Sequence, residues 1–257
     1  MLFPGSTRWF TSLLMSVPNS QSDRAVQNMF DRIAGRYDLL NRVISFRLDV
    51  RWRHQAIRTV LTGGNPIILD IGTGTGDLAF NAAKEANGNA RIIGLDFALQ
   101  MLKLARSKQV RTKHGSTTAF VMGSAMASPF KDATFDGAMT AFVLRNVSDL
   151  SLLFAEAFRV LKPGAKFVSL DMFPPSVSWF SRLYAIYFYR LMPRIGGLLS
   201  RDRNAYRYLS ESVRQFHTPE KVEKLIERAG FANVATRKFM SGAVCMHVAE
   251  KSAASET

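Results

Sequence analysis

The stretch Ile67–Leu78, IILDIGTGTGDL, decides the fold of this chain. A short apolar run ends in Asp70 and passes directly into three glycines at alternate positions, Gly72, Gly74 and Gly76, and an apolar helical pattern follows them. This order predicts a strand, a glycine turn and a helix. Glycine suits such a turn because the backbone can bend tightly, approach a ligand closely and present the free N–H groups of a helix start. We therefore predict that the loop cradles a nucleotide.

The spacing of the glycines narrows the choice of nucleotide. A dinucleotide site would show GxGxxG and a phosphate loop GxxxxGK[ST], whereas this loop is Asp-x-Gly-x-Gly-x-Gly with no lysine after it. The second predicted strand, 91–95, ends in Asp96, whose carboxylate could accept both hydroxyls of a ribose. Two acids at strand ends fit a ligand with a ribose and an amino-acid cation but no pyrophosphate. S-adenosylmethionine is such a ligand; a glycine-rich turn in an unrelated α/β protein is the alternative.

Composition bounds the class of protein. A length of 257 residues favours one large α/β domain. Thirty-four Lys and Arg against twenty Asp and Glu give a net charge of +14, which indicates a polyanionic neighbour, either nucleic acid or an anionic membrane surface. The single cysteine, Cys245, excludes an internal disulfide and a cysteine-based metal cluster, and the four histidines show no metal-ligand spacing. We therefore predict metal-free chemistry in a reducing compartment.

The sequence on either side of the glycine loop predicts how the rest of the chain is organised. Residues 1–21 contain no acid, and we expect a disordered or membrane-proximal tail, with an organellar transit peptide as the open alternative. Residues 22–257 are predicted to form a single domain. It begins with a helical cap, 22–62, that can close over the cofactor, and it contains an aromatic and basic lid insertion, 174–216. The aromatic and arginine side chains of that insertion could stack nucleobases, meet lipid headgroups or pack on the sheet.

The order of the elements predicts a parallel sheet. Strand and helix patterns alternate after residue 67, which indicates right-handed crossovers with helices on both faces, and 234–239 and 243–249 form a terminal hairpin. The fourth strand, 135–144, is almost wholly apolar and ends in Arg145 and Asn146, which should face the crevice at the carboxyl edge of the sheet. The alternative is a surface ion pair of Arg145 with Asp149 and a helix cap.

A resemblance to a known family extends over Ala25–Lys251. It is carried by FDRIAGRYDLLNRVISFRLDVRWR, DIGTGTGDLAF, AFVLRNVSD, RVLKPG, MPRIGGLLSRDRNAYRYLSESVRQF and GAVCMHVAEK. These segments resemble the ubiquinone/menaquinone biosynthesis C-methyltransferase family. The resemblance implies an α/β, Rossmann-like class I methyltransferase fold: a mostly parallel seven-stranded sheet, helices on both faces and a C-terminal antiparallel hairpin. It also implies S-adenosylmethionine as the methyl donor and a polyprenylated benzoquinol or naphthoquinol as the acceptor.

The same resemblance implies roles for individual residues. The methionine end of the cofactor would be held by Asp70, Gly72, Thr73, Gly74, Thr75 and Gly76. Asp96 would bind the ribose, Phe97 would lie near the adenine, and Ser124 and Ala125 would meet the adenine edge. The family usually shows Asp or Asn, Ala and Glu where this chain has Ser124, Ala125 and Met126. A serine oxygen reaches less far than a carboxylate, and a water could bridge the gap.

The catalytic residues implied by the resemblance are Arg145, Asn146 and Tyr37. Because arginine stays protonated in proteins, we interpret Arg145 as a stabiliser of the quinol anion, with Asn146 and Tyr37 positioning the hydroxyl. The sequence does not identify the general base.

Other functions and partners stay open at this stage. One alternative is a methyltransferase acting on another small molecule or on RNA, and another is a cofactor-binding assembly partner without catalysis. A nucleic-acid enzyme is disfavoured because no Asn/Asp-Pro-Pro-Tyr/Phe motif follows the fourth strand. We expect a cytoplasmic protein with peripheral contact to an anionic membrane, and a homodimer is a further open possibility.

Overall fold

The computed structural model describes residues 21–36, 42, 45, 47–61, 63–174 and 203–253. Its helices are α1 Gln21–Ile33, α2 Leu48–Val60, α3 Asp77–Glu85, α4 Leu99–Gln109, α5 Leu150–Val160, α6 Arg203–Gln215 and α7 Pro219–Arg228. Its strands are β1 Ile67–Ile71, β2 Arg91–Asp96, β3 Thr118–Met122, β4 Phe135–Ala141, β5 Leu161–Met172, β6 Phe231–Phe239 and β7 Val244–Lys251. Short 3-10 helices occupy Ala34–Arg36, Gly115–Thr117, Leu144–Asn146 and Met240–Gly242.

The seven strands form one sheet in the order β3-β2-β1-β4-β5-β7-β6. Strands β1 to β5 pair in parallel, and β7 lies antiparallel between β5 and β6. The predicted mostly parallel sheet with an antiparallel C-terminal pair is confirmed. Because β2 and β4 flank β1 on opposite sides, the strand order reverses at β1. In such sheets a ligand crevice opens beyond the carboxyl ends of the strands at this point.

The core lies on both faces of the sheet, as the apolar strands predict. In β1, Ile68 packs with the cluster that includes Ile57 of α2, while its neighbour Leu69 packs with Phe154 of α5 on the other face. Both strand residues are at most 1% exposed. Successive strand side chains point to opposite faces, so a strand that is apolar at every position needs helices on both sides. This burial fixes β1, and with it the position of the glycine loop.

Several strands end at other residues than the sequence predicts; the hairpin strands predicted at 234–239 and 243–249 are Phe231–Phe239 and Val244–Lys251. The fourth strand ends at Ala141 instead of residue 144, because Phe142 adopts a φ of 64° and turns the chain into the 3-10 helix Leu144–Asn146. The fifth strand begins at Leu161, which pairs with Phe135; pairing resumes at Gly137 with Lys166 after a bulge. Lys162, Pro163 and Gly164 therefore lie within the bounds of β5.

Helix α1 forms hydrogen bonds with the residues that follow β2, beside the crevice. Gln27 Nε2 donates a 2.6 Å hydrogen bond to the Phe97 carbonyl, and Asp31 Oδ1 accepts one of 2.9 Å from the Gln100 N–H. Residues 1–20 and 175–202, which hold most of the predicted tail and lid insertion, lie outside the described residues, so the division into tail, cap and lid stays a prediction. Among the described helices, none is both long enough and apolar enough to cross a bilayer.

Candidate active site

The glycine loop between β1 and α3 needs glycine for two different reasons. Gly72 has a φ of 71°, and a Cβ there would lie 2.4 Å from Val143 Cγ2, so the loop can lie against the end of β4 only without a side chain. Gly74 has a φ of 57°, but a Cβ there would meet no atom within 4 Å. Its backbone therefore borders open space on the side where a ligand can approach.

Asp70 is buried next to the glycine loop and forms a hydrogen bond with it. It is 1% exposed, and Thr73 Oγ1 donates a 2.6 Å hydrogen bond to its Oδ2. The N–H groups of Gly72 and Thr73 both donate to the Leu95 carbonyl, which ties the loop to the end of β2. Burial raises the pKa of the Asp70 carboxyl to about 7, although the Thr73 hydrogen bond opposes the shift.

Asp96 ends β2 and lines the crevice, and each of its carboxylate oxygens accepts a hydrogen bond from a backbone N–H group. Its Oδ2 accepts a 2.7 Å hydrogen bond from the Gly74 N–H and its Oδ1 accepts one of 2.8 Å from the Ala98 N–H. Burial raises the pKa of this carboxyl to about 6, and the two backbone donors oppose the shift. Each carboxylate oxygen can accept a second hydrogen bond, so Asp96 can still receive two hydroxyl groups.

The crevice contains two adjoining cavities that open to solvent, with empty volumes of about 580 and 500 Å³ when the solvent at their mouths is included. Residues common to both linings are Gly72, Asp96, Phe97, Val143 and Asn146. The larger cavity is also lined by Thr73, Gly74 and Thr75, and the smaller one by Ser124, Ala125 and Met126. Of the predicted cofactor residues, Asp70 and Gly76 line neither cavity.

This crevice fits S-adenosylmethionine. Asp96 offers carboxylate oxygens for ribose hydroxyls, and Phe97 offers an apolar surface beside it. Ser124 Oγ accepts a 3.1 Å hydrogen bond from the Met126 N–H, so part of its capacity as an acceptor is already used within its own turn.

Arg145 forms a buried ion pair at the carboxyl edge of the sheet. Its Nη1 donates to Asp171 Oδ1 at 2.5 Å, and the two side chains are 5% and 0% exposed. Arg145 Nε and Asp171 Oδ2 are buried and have no hydrogen-bond partner among the described residues. The alternative of a surface pair with Asp149 is wrong, because Asp149 instead caps α5 by accepting from the Ser151 and Leu152 N–H groups.

Asn146 lies between the two cavities, while Arg145 lines neither of them. The Asn146 amide donates to the Phe142 carbonyl at 3.3 Å, and its Oδ1 accepts a 3.3 Å hydrogen bond from the Tyr208 hydroxyl. These contacts fix the amide against the crevice. Tyr37, the third predicted catalytic residue, lies outside the described residues.

Three residues of this region received no role from the sequence: Tyr208, Asp171 and Arg53. Asp171 sits near the end of an apolar strand, as Asp96 does, and the same rule could have identified it. Arg53 lies four and seven residues before the buried Ile57 and Val60, which is the spacing of one helix face. That spacing is the signal that separates it from the exposed Arg51.

Comparison with known proteins yields a consistent result. The model of the ubiE/COQ5 methyltransferase family matches residues 17–251. A demethylmenaquinone methyltransferase of Thermus thermophilus is 42% identical over 223 residues, covering 87% of this chain and all of that protein. A ubiquinone/menaquinone biosynthesis C-methyltransferase of Geobacter sulfurreducens is 37% identical over 232 residues, and this matched region covers 90% of each chain. Among solved structures, a SAM-dependent methyltransferase of Thermotoga maritima aligns with a TM-score of 0.60 at 21% identity, covering 88% of this chain and 99% of that one.

Proposed function

The chain belongs to the ubiE/COQ5 methyltransferase family, and on that premise we propose that it methylates a ring carbon of a polyprenylated quinol. The protein is an S-adenosylmethionine-dependent methyltransferase. The observation that carries the choice of acceptor is the 42% identity over the full length of a demethylmenaquinone methyltransferase. The naphthoquinol precursor of menaquinone is therefore our first candidate, and the corresponding benzoquinol is the second.

The reaction requires a carbon nucleophile. A ring carbon next to a phenolate is electron-rich, and S-adenosylmethionine, when bound, supplies a methyl group on a positively charged sulfur. The protein must therefore favour loss of the quinol proton and hold the carbon in line with that methyl group. We assign Arg145 to the stabilisation of the quinol oxyanion and Asn146 to the orientation of the hydroxyl, together with Tyr37. The position of Asn146 between the cavities, and the hydrogen bond from Tyr208, support the role of Asn146; Arg145 precedes it in the same 3-10 helix.

The cofactor residues divide into two groups in this proposal. Asp96 binds the ribose, while Phe97, Ser124 and Ala125 surround the adenine; all four line the smaller cavity. The remaining residues, Asp70, Gly72, Thr73, Gly74, Thr75 and Gly76, shape the loop for the methionine end. Asp70 lines neither cavity, so in this proposal it acts by positioning Thr73, which donates a hydrogen bond to it.

The direct test is methyl transfer with purified protein. Short-tailed demethylmenaquinol and the matching demethylated benzoquinol are offered separately with S-adenosylmethionine, and the products are analysed by mass spectrometry and NMR. We expect a new methyl group on a ring carbon of at least one quinol, and none when the same compound is supplied as the oxidised quinone. Methylation of an oxygen, or of neither quinol, would contradict the proposal. Quinone analysis of cells that lack the protein should show the same demethylated compound accumulating.

The raised pKa of Asp96 makes cofactor affinity depend on pH. Ribose hydroxyls donate hydrogen bonds to the ionised carboxylate. Burial raises the pKa of Asp96 to about 6, so below that pH the carboxyl is mostly protonated and must lose its proton before the ribose can bind. Affinity for S-adenosylhomocysteine should therefore rise with pH, by roughly fourfold from Asp96 alone between about pH 5.5 and about pH 7.5. Calorimetry near pH 6 in buffers of different ionisation enthalpy should reveal proton release on binding.

The Asp96→Asn variant is the control for this pH effect. Its amide cannot ionise and offers fewer acceptor sites, so it should bind S-adenosylhomocysteine more weakly, by about 1–3 kcal/mol, the scale for unpaired polar groups. Its affinity should also lose the share of the pH dependence that Asp96 contributes. An unchanged pH profile in Asp96→Asn would assign the titration to another group.

We also propose that the protein contacts an anionic membrane surface, since the net charge is +14 and the acceptor carries an isoprenoid tail. Vesicles containing anionic lipid should sediment the protein at low salt and release it at high salt, because salt screens exposed charges. Vesicles of neutral lipid are the control. Equal binding to both kinds of vesicle would show that the positive charge serves another purpose.

A further inference from the structure

Arg53 is a buried cation for which the described part of the chain shows no hydrogen bond. It lies in α2, is 8% exposed, and lines the larger cavity together with the glycine loop. Its Nε is buried, and no described residue offers it a hydrogen bond. Its nearest charge is Asp49, whose Oδ2 lies 3.6 Å from that Nε, beyond good hydrogen-bond distance. A guanidinium therefore lies at a ligand cavity, and its buried Nε lacks the hydrogen bond that a buried donor normally makes.

The position of this guanidinium is nevertheless fixed. The Arg53 Cζ lies 5.1 Å from the centre of the Phe142 ring, within the range of a cation–π contact. Phe142 is the residue with a φ of 64° that ends β4, an uncommon conformation for an aromatic residue. On the other side, Asp49 is held by a 2.6 Å hydrogen bond from Ser45 Oγ. Arg53 is thus positioned by its neighbours while its donors are left for another group.

The location of Arg53 indicates which part of the cofactor it meets. Asp96, the ribose residue, also lines the smaller cavity with Ser124, whereas Arg53 lines only the larger one, with the glycine loop and Phe142. Arg53 is also close enough to Asp70 for its positive charge to oppose the rise in the Asp70 pKa that burial causes. It therefore lies at the methionine side of the loop. The methionine moiety carries an α-carboxylate, and a buried anion requires a paired cation.

We propose that Arg53 binds the α-carboxylate of the cofactor through its guanidinium. The planar fork of arginine matches a carboxylate, and such charge-assisted hydrogen bonds are stronger than neutral ones. This inference rests on cofactor binding and not on the quinol acceptor. Its test therefore needs no acceptor, and it can fail while the proposed reaction stands.

The test compares two ligands by calorimetry on the full chain. S-adenosylhomocysteine carries the α-carboxylate, and its decarboxylated analogue keeps the adenosine, the sulfur and the amine but lacks that group. Arg53→Met removes the charge and keeps an apolar stem. We expect it to weaken S-adenosylhomocysteine binding about tenfold or more and to change binding of the analogue by less than about threefold. Arg53→Lys should recover part of the lost affinity, because it keeps the charge but not the fork.

Arg51, exposed on the same helix, supplies the matched control. Arg51→Met removes the same net charge, and both ligands should bind it as they bind the wild type. A loss of affinity for both ligands in Arg53→Met would mean that Arg53 only supports the structure, and it would overturn the proposal. Unchanged affinity for S-adenosylhomocysteine in that variant would overturn it as well.

Discussion

Replacing Arg145 with alanine should lower the turnover of methyl transfer by about a hundredfold or more, the cost typical of removing one donor to a developing oxyanion. The residue follows β4 at the carboxyl edge of the sheet, next to Asn146, which lines both cavities. If Arg145 stabilises the quinol oxyanion, its loss raises the barrier of the chemical step and leaves cofactor binding nearly intact. Single-turnover transfer to a short-tailed demethylated quinol, measured with S-adenosylhomocysteine affinity, tests both statements.

Two further variants decide how Arg145 acts. Arg145→Lys keeps the charge but loses the planar fork, so it should recover only part of the rate. Asp149→Ala removes the cap of α5, which typically costs about 1 kcal/mol of stability. Its turnover should match the wild type, because the Asp149 carboxylate accepts from backbone N–H groups of α5 while Arg145 pairs with Asp171. Near-normal turnover in Arg145→Ala would remove this residue from the mechanism. The S-adenosylhomocysteine affinity confirms that each variant is folded when it is assayed.

The sheet could be predicted from the sequence because its signals are local. Apolar runs that end in an acid mark β1 and β2, and Thr218 with Pro219 marks the start of α7, where the Thr218 side chain caps the helix. The end of β4 could not be predicted, because the apolar sequence continues to Leu144 while the strand stops at Ala141. Hydrophobic periodicity reports burial and does not report backbone dihedral angles, so the positive φ of Phe142 leaves no trace in the pattern.

Outside the glycine loop, the site could be predicted where a rule ties a residue to the carboxyl end of a strand. That rule predicted Asp96, Arg145 and Asn146 at the crevice. Asp96 ends β2 and Asn146 lies in the 3-10 helix after β4, and both line the crevice, whereas Arg145 lines neither cavity. The rule did not predict the partner of Arg145, because Asp171 lies 26 residues away and pairs through the neighbouring strand β5. Asp149 was the nearer acid in the sequence, but its carboxylate is used by backbone N–H groups of its own helix.

The buried pair of Arg145 and Asp171 also carries the largest expected effect on stability. Asp171 is fully buried, and its Oδ1 accepts from Arg145 Nη1 and from the Met172 N–H. Replacing Asp171 with leucine leaves a guanidinium that is 5% exposed without a counter-charge. Removing one member of a buried pair typically costs about 3–5 kcal/mol. Urea unfolding of Asp171→Leu should therefore give a free energy of unfolding lower by that amount.

The double variant Arg145→Met/Asp171→Leu separates the charge from the packing. Replacing both members of a buried ion pair with apolar side chains of similar size often leaves the free energy of unfolding unchanged. The reason is that removing both charges from water costs about as much free energy as their attraction contributes. The double variant should therefore recover most of the stability lost in Asp171→Leu, although it should stay inactive because Arg145 is gone. If the double variant is instead less stable than Asp171→Leu, the pair holds the end of β5 through its hydrogen bonds and shape. A stable, folded and inactive double variant would show that the protein keeps this ion pair for the reaction and not for the fold.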